Sequence, residues 1–293
     1  MEALQENKRY LPGVPLPATI RFESELKMAV RHADVIILAI PSHAFETILH
    51  AIQPYVQDAQ ILLSTAKGLT QQGGFMHAVA QHLLPKTRYA LLSGPSFAKE
   101  VAHHLPTSVI IASNDAACAQ YLSATISKNF FRTYTSDDLI GVQLGGAIKN
   151  VLAVAVGISD GLGFGANARA ALITRGLHEM SQLGHAVGAH TKTFMGLSGL
   201  GDLLLTCTDD QSRNRRLGLA IGRGKTLKQA QENIGQVIES IHTSALVRIL
   251  SQRYHIEMPI AEQVYQILYH NLAPSIAVKN LFSRSLTAEA YSS

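Results

Sequence analysis

The stretch GGAIKNVLAVAVGISDGLGFGANARAALITRGLHEM, residues 145–180, decides how the rest of the chain is read. It reads as two helices joined by a glycine-rich turn. The first is expected from near Ala147 to near Ile158. Gly145 and Gly146 stand just ahead of it, where a backbone can come close without a side chain in between. Val151, Leu152, Val154, Ala155 and Val156 make most of this helix apolar, so it needs burial on most sides. Residues 159–165 are polar and glycine-rich and read as the turn. Asn167 is the expected N-cap of the second helix, which carries Arg169, Arg175, His178 and Glu179. Lys149 and Asn150 lie on the apolar first helix. Either Lys149 snorkels to solvent, or it is an acid–base group beside a site, because a buried ammonium is costly without a partner.

Upstream, residues 34–40 (DVIILAI) form an apolar run of strand length, the pattern of a parallel strand covered on both faces. Further strands are expected over residues 60–64, 88–92, 109–112 and 130–134, and a short one over 20–22. Helices alternate with them: 23–32, capped by Ser24 or its neighbour; one opened by Ser42, His43 and Ala44; one after Gly68; and 115–127. Residues 2–7 read as the end of a helix and 11–17 as a loop. The alternation gives an α/β layer with a parallel sheet. Ligands of such sheets sit beyond the carboxyl ends of the strands. Pro41-Ser42-His43, Lys67-Gly68-Leu69 and Ser93-Gly94-Pro95-Ser96 fall there, either as ligand loops or as ordinary strand-to-helix turns.

From Ser136 onward the pattern is helical, so the chain divides into a sheet unit, 1–135, and an all-α unit, 136–293. Residues 184–201, with Gly184, Gly188, Gly196, Gly199 and Gly201, read as a loop. Residues 201–207 continue as helix, which puts Asp202 and Thr206 on one face. Arg213-Asn214-Arg215-Arg216 is a short basic cluster. A turn over 222–225 precedes a helix capped by Thr226. Helices are expected over 238–250 and 259–270, Pro274 breaks the pattern, and 280–293 reads as a last short helix and a polar tail.

With 293 residues two domains are the default, and 47% apolar and 16% charged residues fit a large core rather than a disordered chain. A net charge of +4, without a long basic run, suits small anions and argues against nucleic acid. Cys118 and Cys207 form no disulfide framework and no zinc-type spacing, so no metal is expected. No signal-peptide pattern opens the chain, and the apolar runs over 34–41 and 151–158 are short of a bilayer span. A cytoplasmic location is the expectation.

Two lysines, an aspartate, a threonine and an Arg-Asn pair suggest a metal-free acid–base site. Arginine holds phosphate through its planar fork. A lysine near a carbonyl can donate a proton as that oxygen gains charge, and Asp202 would keep it charged and oriented. There is no serine elbow.

The segments AIPSHAF (39–45), KGL (67–69), SGPSFAKEV (93–101), GAIKN (146–150), GLGFGAN (161–167), GLGDL (199–203) and RNR (213–215) together closely resemble the bacterial type of NAD(P)-dependent glycerol-3-phosphate dehydrogenase. The resemblance covers essentially the whole chain. It implies a Rossmann-like sheet domain, a helical substrate domain, NAD or NADP as cofactor, and reversible reduction of dihydroxyacetone phosphate to sn-glycerol 3-phosphate, which feeds phospholipid synthesis. Lys149 would be the acid–base residue. Lys67, Asp202, Thr206, Arg213, Asn214, Ser93, Gly94 and Ser96 would line the substrate. Pro41, Ser42, His43, Phe45, Lys67, Ala98, Arg213 and Glu239 would face the cofactor, with Ser240 where the family usually has glycine. The family opens with a strand, a Gly-x-Gly-x-x-Gly turn, a helix and a second strand. No such turn precedes Asp34, so roughly 40 residues of a βαβ opening are expected to be absent, leaving a gap inside the sheet with two exposed edges. The alternatives are an impaired dehydrogenase fragment without useful cofactor binding, or a related 3-hydroxyacid dehydrogenase. A homodimer is the expected assembly.

Overall fold

The computed structural model describes residues 5–284. Five strands form one sheet in unbroken order: β1 (Val35–Leu38), β2 (Ile61–Ser64), β3 (Arg88–Ser93), β4 (Thr107–Ala112) and β5 (Phe131–Ser136). β1, β2 and β3 are parallel, β3 and β4 antiparallel, and β4 and β5 parallel. The sheet is therefore mixed, where the alternation of elements suggested a wholly parallel one. Among the described residues the order has no internal gap either: β1 and β5 are the two edges. β1 is covered on one face only, against the expectation of cover on both. Ile36 and Leu38 are buried, whereas Ile37 is 55% exposed.

The helices of this layer are α1 (Leu26–Arg31), α2 (Phe45–Ile52), α3 (Met76–Leu83), α4 (Ala98–Ala102) and α5 (Ala116–Ile126). Asp115 caps α5 by accepting the Cys118 N–H. Glu25 rather than Ser24 is the N-cap of α1, and its side chain makes no capping bond. Residues 20–22 form no strand and residues 5–7 no helix. The rest of the expected helix end, residues 1–4, lies outside the described residues. One sheet face buries Phe45, Leu49, Leu62, Met76 and Leu91, and the other buries Ile61, Leu63, Ile111 and Leu122.

The helical layer follows: α6 (Leu139–Gly161), α7 (Ala166–Ala186), α8 (Asp202–Thr208), α9 (Arg213–Gly222), α10 (Leu227–Ile234), α11 (Glu239–Arg253), α12 (Pro259–His270) and α13 (Pro274–Phe282). α6 starts well before Ala147. Asp138 is its N-cap, accepting the Gly141 N–H at 2.8 Å, and Gly145 and Gly146 lie inside the helix. Glycine weakens a helix by about 1 kcal/mol against alanine. Here it admits neighbours: a Cβ on Gly145 would overlap the Ser198 carbonyl oxygen, and one on Gly157 the Arg215 carbonyl oxygen. α6 is long and apolar enough to cross a membrane, contrary to the short runs read from sequence, but 89% of its apolar window is buried within the fold.

Gly165, not Asn167, is the N-cap of α7. The segment expected as a loop over 184–201 holds the end of α7, a 3-10 turn over Thr191–Met195 and a π-helical turn over Leu197–Gly201. Asp138 pins it by accepting the His190 N–H and the Thr193 hydroxyl at 2.9 and 2.6 Å. Thr226 caps α10 in a reciprocal capping box with Gln229. Pro274 begins a helix rather than breaking one, since a first-turn N–H has no intrahelical partner to lose. The helix expected over 280–293 ends at Phe282, and residues 285–293 lie outside the described residues.

Candidate active site

The carboxyl ends of β1, β2 and β3 lie on one side of the sheet and deliver Ser42, Lys67 and Ser93. α6 and α8 present Lys149, Asp202 and Thr206 to them. The Lys149 Nζ donates to Asp202 Oδ1 at 2.5 Å and to Thr206 Oγ1 at 3.0 Å. Its side chain is 8% exposed, so it does not snorkel to solvent. The Lys67 Nζ donates to the other carboxylate oxygen, Asp202 Oδ2, at 2.8 Å and to the Gly94 carbonyl oxygen at 2.7 Å. Asp202 is thus shared by two ammonium groups, each taking one oxygen.

Gly94 allows this geometry. Its φ of +128° is a conformation that side chains rarely adopt, and it turns the carbonyl to Lys67. Thr206, one helical turn after Asp202, donates its hydroxyl to the Asp202 carbonyl oxygen at 2.6 Å and so offers a lone pair to Lys149.

Burial pushes the Lys149 ammonium down to about 8, with the charge of Asp202 opposing and that of Lys67 assisting the shift. Burial alone would raise Asp202, but the charges of Lys149 and Lys67 outweigh it and hold the carboxyl below its ordinary range. The site thus lowers the lysine's pKa and the carboxyl's together, which favours an ionised carboxylate beside a lysine that gives up its proton more readily than a free one.

Asn214 and Arg213 open α9. Asn214 is buried and donates to Asn150 Oδ1 at 2.9 Å, while Arg213 is partly exposed. Ser93 is buried against Gly146, and its hydroxyl has no partner among the described residues. Ser96 folds back on the Gly94 carbonyl oxygen at 3.0 Å. Of the residues expected to face a cofactor, Pro41 is partly exposed, and His43 and Ala98 are exposed. Phe45 is fully buried, edge-on to Tyr89, and supports its loop from beneath. Glu239, at the start of α11, takes two hydrogen bonds from Ser42.

Asn150 was missing from the expected site, though it stands next to Lys149. It donates to the Lys67 carbonyl oxygen at 3.2 Å and accepts from Asn214, joining three separate segments. A polar amide on so apolar a helix is the signal that would have found it. Arg215 in the basic cluster has a different task. It is buried on Asp160 at 2.5 Å, Asp210 at 2.9 Å and the Cys207 carbonyl oxygen at 3.1 Å, fastening α9 to α6 and α8.

Sheet strand ends that face a buried lysine on the long α6 and its carboxylate partner on α8 fit the dehydrogenases built from a Rossmann-like domain and a helical domain. Residues 1–119 match the NAD-dependent glycerol-3-phosphate dehydrogenase N-terminus and residues 138–279 the NAD-dependent glycerol-3-phosphate dehydrogenase C-terminus. The chain belongs to the NAD-dependent glycerol-3-phosphate dehydrogenase family. It is 48% identical to the NAD(P)+ glycerol-3-phosphate dehydrogenase of Colwellia psychrerythraea over 287 residues, 97% of this chain and 86% of that protein. The corresponding protein of Haemophilus ducreyi is 48% identical over 286 residues, 97% of this chain and 85% of its own length. The crystal structure of glycerol-3-phosphate dehydrogenase from Coxiella burnetii superimposes with a TM-score of 0.95 at 45% identity, covering 97% of this chain and 87% of that one.

Proposed function

We propose that the chain interconverts dihydroxyacetone phosphate and sn-glycerol 3-phosphate with NAD(P)H, and that Lys149 is its acid–base residue. The observation that carries the assignment of Lys149 is the shared carboxylate: Asp202 holds two ammonium groups, and the more deeply buried one has a pKa of about 8. A carbonyl oxygen placed at Lys149 would take its proton as negative charge develops. Asp202 and Thr206 hold the ammonium in place, and the part-exposed Lys67 holds the other oxygen of the same carboxylate. Arg213 and Asn214, on the first turn of α9, would hold the phosphate, the arginine through its planar fork.

The residues present suit the nicotinamide end of a dinucleotide. Ser93 offers an unpartnered hydroxyl beside Lys67, and Glu239 keeps acceptor capacity at the end of β1. The bound cofactor would supply or accept the hydride. A dinucleotide unit over 1–135, a substrate unit over 136–293, a cytoplasmic homodimer and no nucleic-acid partner complete the reading. The test is NADH and NADPH oxidation with dihydroxyacetone phosphate by the wild type and Lys149→Met. Loss of turnover in the variant, with substrate binding retained, is expected. Equal turnover would remove Lys149 from the chemistry.

A further inference from the structure

Ser42 stands at the end of β1 among the cofactor-side residues, yet only 2% of it is exposed. Its backbone N–H donates to Glu239 Oε1 at 3.1 Å and its hydroxyl to Glu239 Oε2 at 2.5 Å, across 197 positions of sequence. Both of its donors are spent on one carboxylate. Gly68, directly after Lys67, makes the room: a Cβ there would overlap both Cβ and Oγ of Ser42 and lie 3.5 Å from Glu239 Oε2. A carboxylate has about four acceptor positions. Two are used here, and Glu239 is only partly buried, so the remainder can take an amide or hydroxyl donor of a ligand.

The neighbouring residues close a ring. The Ser240 N–H donates to Asn214 Oδ1 at 3.1 Å, Asn214 donates to Asn150 Oδ1 at 2.9 Å, and Asn150 donates to the Lys67 carbonyl oxygen at 3.2 Å. Lys67 adjoins Gly68, and Ser240 adjoins Glu239. The ring thus runs from the sheet loops through α6, α9 and α11 and back. We propose that Ser42 is a positioning residue: it never touches the cofactor but fixes the Glu239 carboxylate toward it, and through the Gly68 contact it couples that carboxylate to the backbone carrying Lys67. The proposal rests on the reading of Glu239 as a cofactor-side residue.

The test is steady-state kinetics of the full chain with NADPH and dihydroxyacetone phosphate for Ser42→Ala, Gly68→Ala, Glu239→Ala and the Ser42→Ala/Glu239→Ala pair. Loss of a charge-assisted hydrogen bond corresponds to about tenfold or more in affinity. Ser42→Ala is expected to raise KM for NADPH about tenfold and KM for the triose phosphate less than about twofold. Gly68→Ala should also raise KM for NADPH by pushing Ser42 aside, and the double variant should be no worse than Glu239→Ala alone. An unchanged NADPH KM in Ser42→Ala, with a raised one in Glu239→Ala, overturns the proposal and leaves the reading of Glu239 intact. An unchanged NADPH KM in Glu239→Ala removes that reading and the proposal with it. Additive effects, or equal rises of both KM values, mean that Ser42 only supports the fold and also overturn the proposal.

Discussion

Lys149 is the residue where sequence, packing and chemistry meet. Moving an ammonium out of water is expensive, and a neighbouring carboxylate recovers part of that cost. Burial holds its pKa down at about 8, so if Lys149 is the proposed acid, the proton for carbonyl reduction is lost as pH rises through that value. Turnover in the reducing direction should therefore fall above about pH 8. The oxidising direction, which needs the neutral amine, should rise through the same range. Profiles of kcat in both directions check this, and parallel profiles would contradict it. Asp202→Asn removes the carboxylate from between two cations. Lys149 is then left facing Lys67, so its pKa falls further and the limb of the reducing profile moves to lower pH. Lys149 was legible because a lysine is out of place on an apolar helix, and Asp202 with Thr206 because four positions share a helix face. The role of Asn150 and the Ser42–Glu239 pair were not. Their partners lie 64 to 197 positions away, and local spacing carries no trace of such contacts.

Glycines decide how α6 meets its neighbours, and they also hid its start. A glycine pair reads as a break, yet Gly145 and Gly146 sit mid-helix because packing overrides propensity. α6 and α9 approach through Gly157 and Gly161 on one side and Gly218 and Gly222 on the other, where each missing side chain faces backbone of the partner helix. A Cβ on Gly218 would overlap the Val154 carbonyl oxygen. Gly218→Val should therefore cost about 1–3 kcal/mol or more through overpacking and lower Tm by roughly 2–8 °C. A thermal melt within a degree of wild type would show that the helices separate freely. α7 and α12 are joined differently. Glu179, 4% exposed on α7, accepts the Ile260 and Ala261 N–H groups at 2.7 and 3.2 Å, serving the N-terminus of α12 from outside. Burial pushes this carboxyl up to about 7 from 4.5, against the pull of those two N–H groups and of Arg175 and Arg284. The native state then binds the proton more tightly than the unfolded chain between these values. Stability should fall as pH rises from about 4.5 to 7, by at most about 3 kcal/mol. In Glu179→Gln that slope should vanish, and Tm measured at several pH values across the window reads it directly.

At the scale of the molecule, α6 belongs to both layers. Leu139 and Val142, 4% and 1% exposed, lie in the core under the sheet with Leu62 and Leu91, while Leu144 onward packs among the other helices. The change from alternating strands to continuous helix near Ser136 was legible in the sequence. That the first turn of the next helix completes the core of the preceding sheet was not, because hydrophobic periodicity gives a face and not its partner. A cut at that boundary would strip two buried side chains from the sheet and leave the apolar face of α6 half uncovered. The two layers are also joined by Asp202 to Lys67 and by Glu239 to Ser42. They should unfold together. Hydrogen exchange at increasing denaturant should show peptides from β3 and from α7 losing protection at one midpoint. Two separate midpoints would mean that α6 leaves one layer while holding the other. The site assembled between them would then come apart when the less stable layer unfolds, and activity would be lost at the lower midpoint.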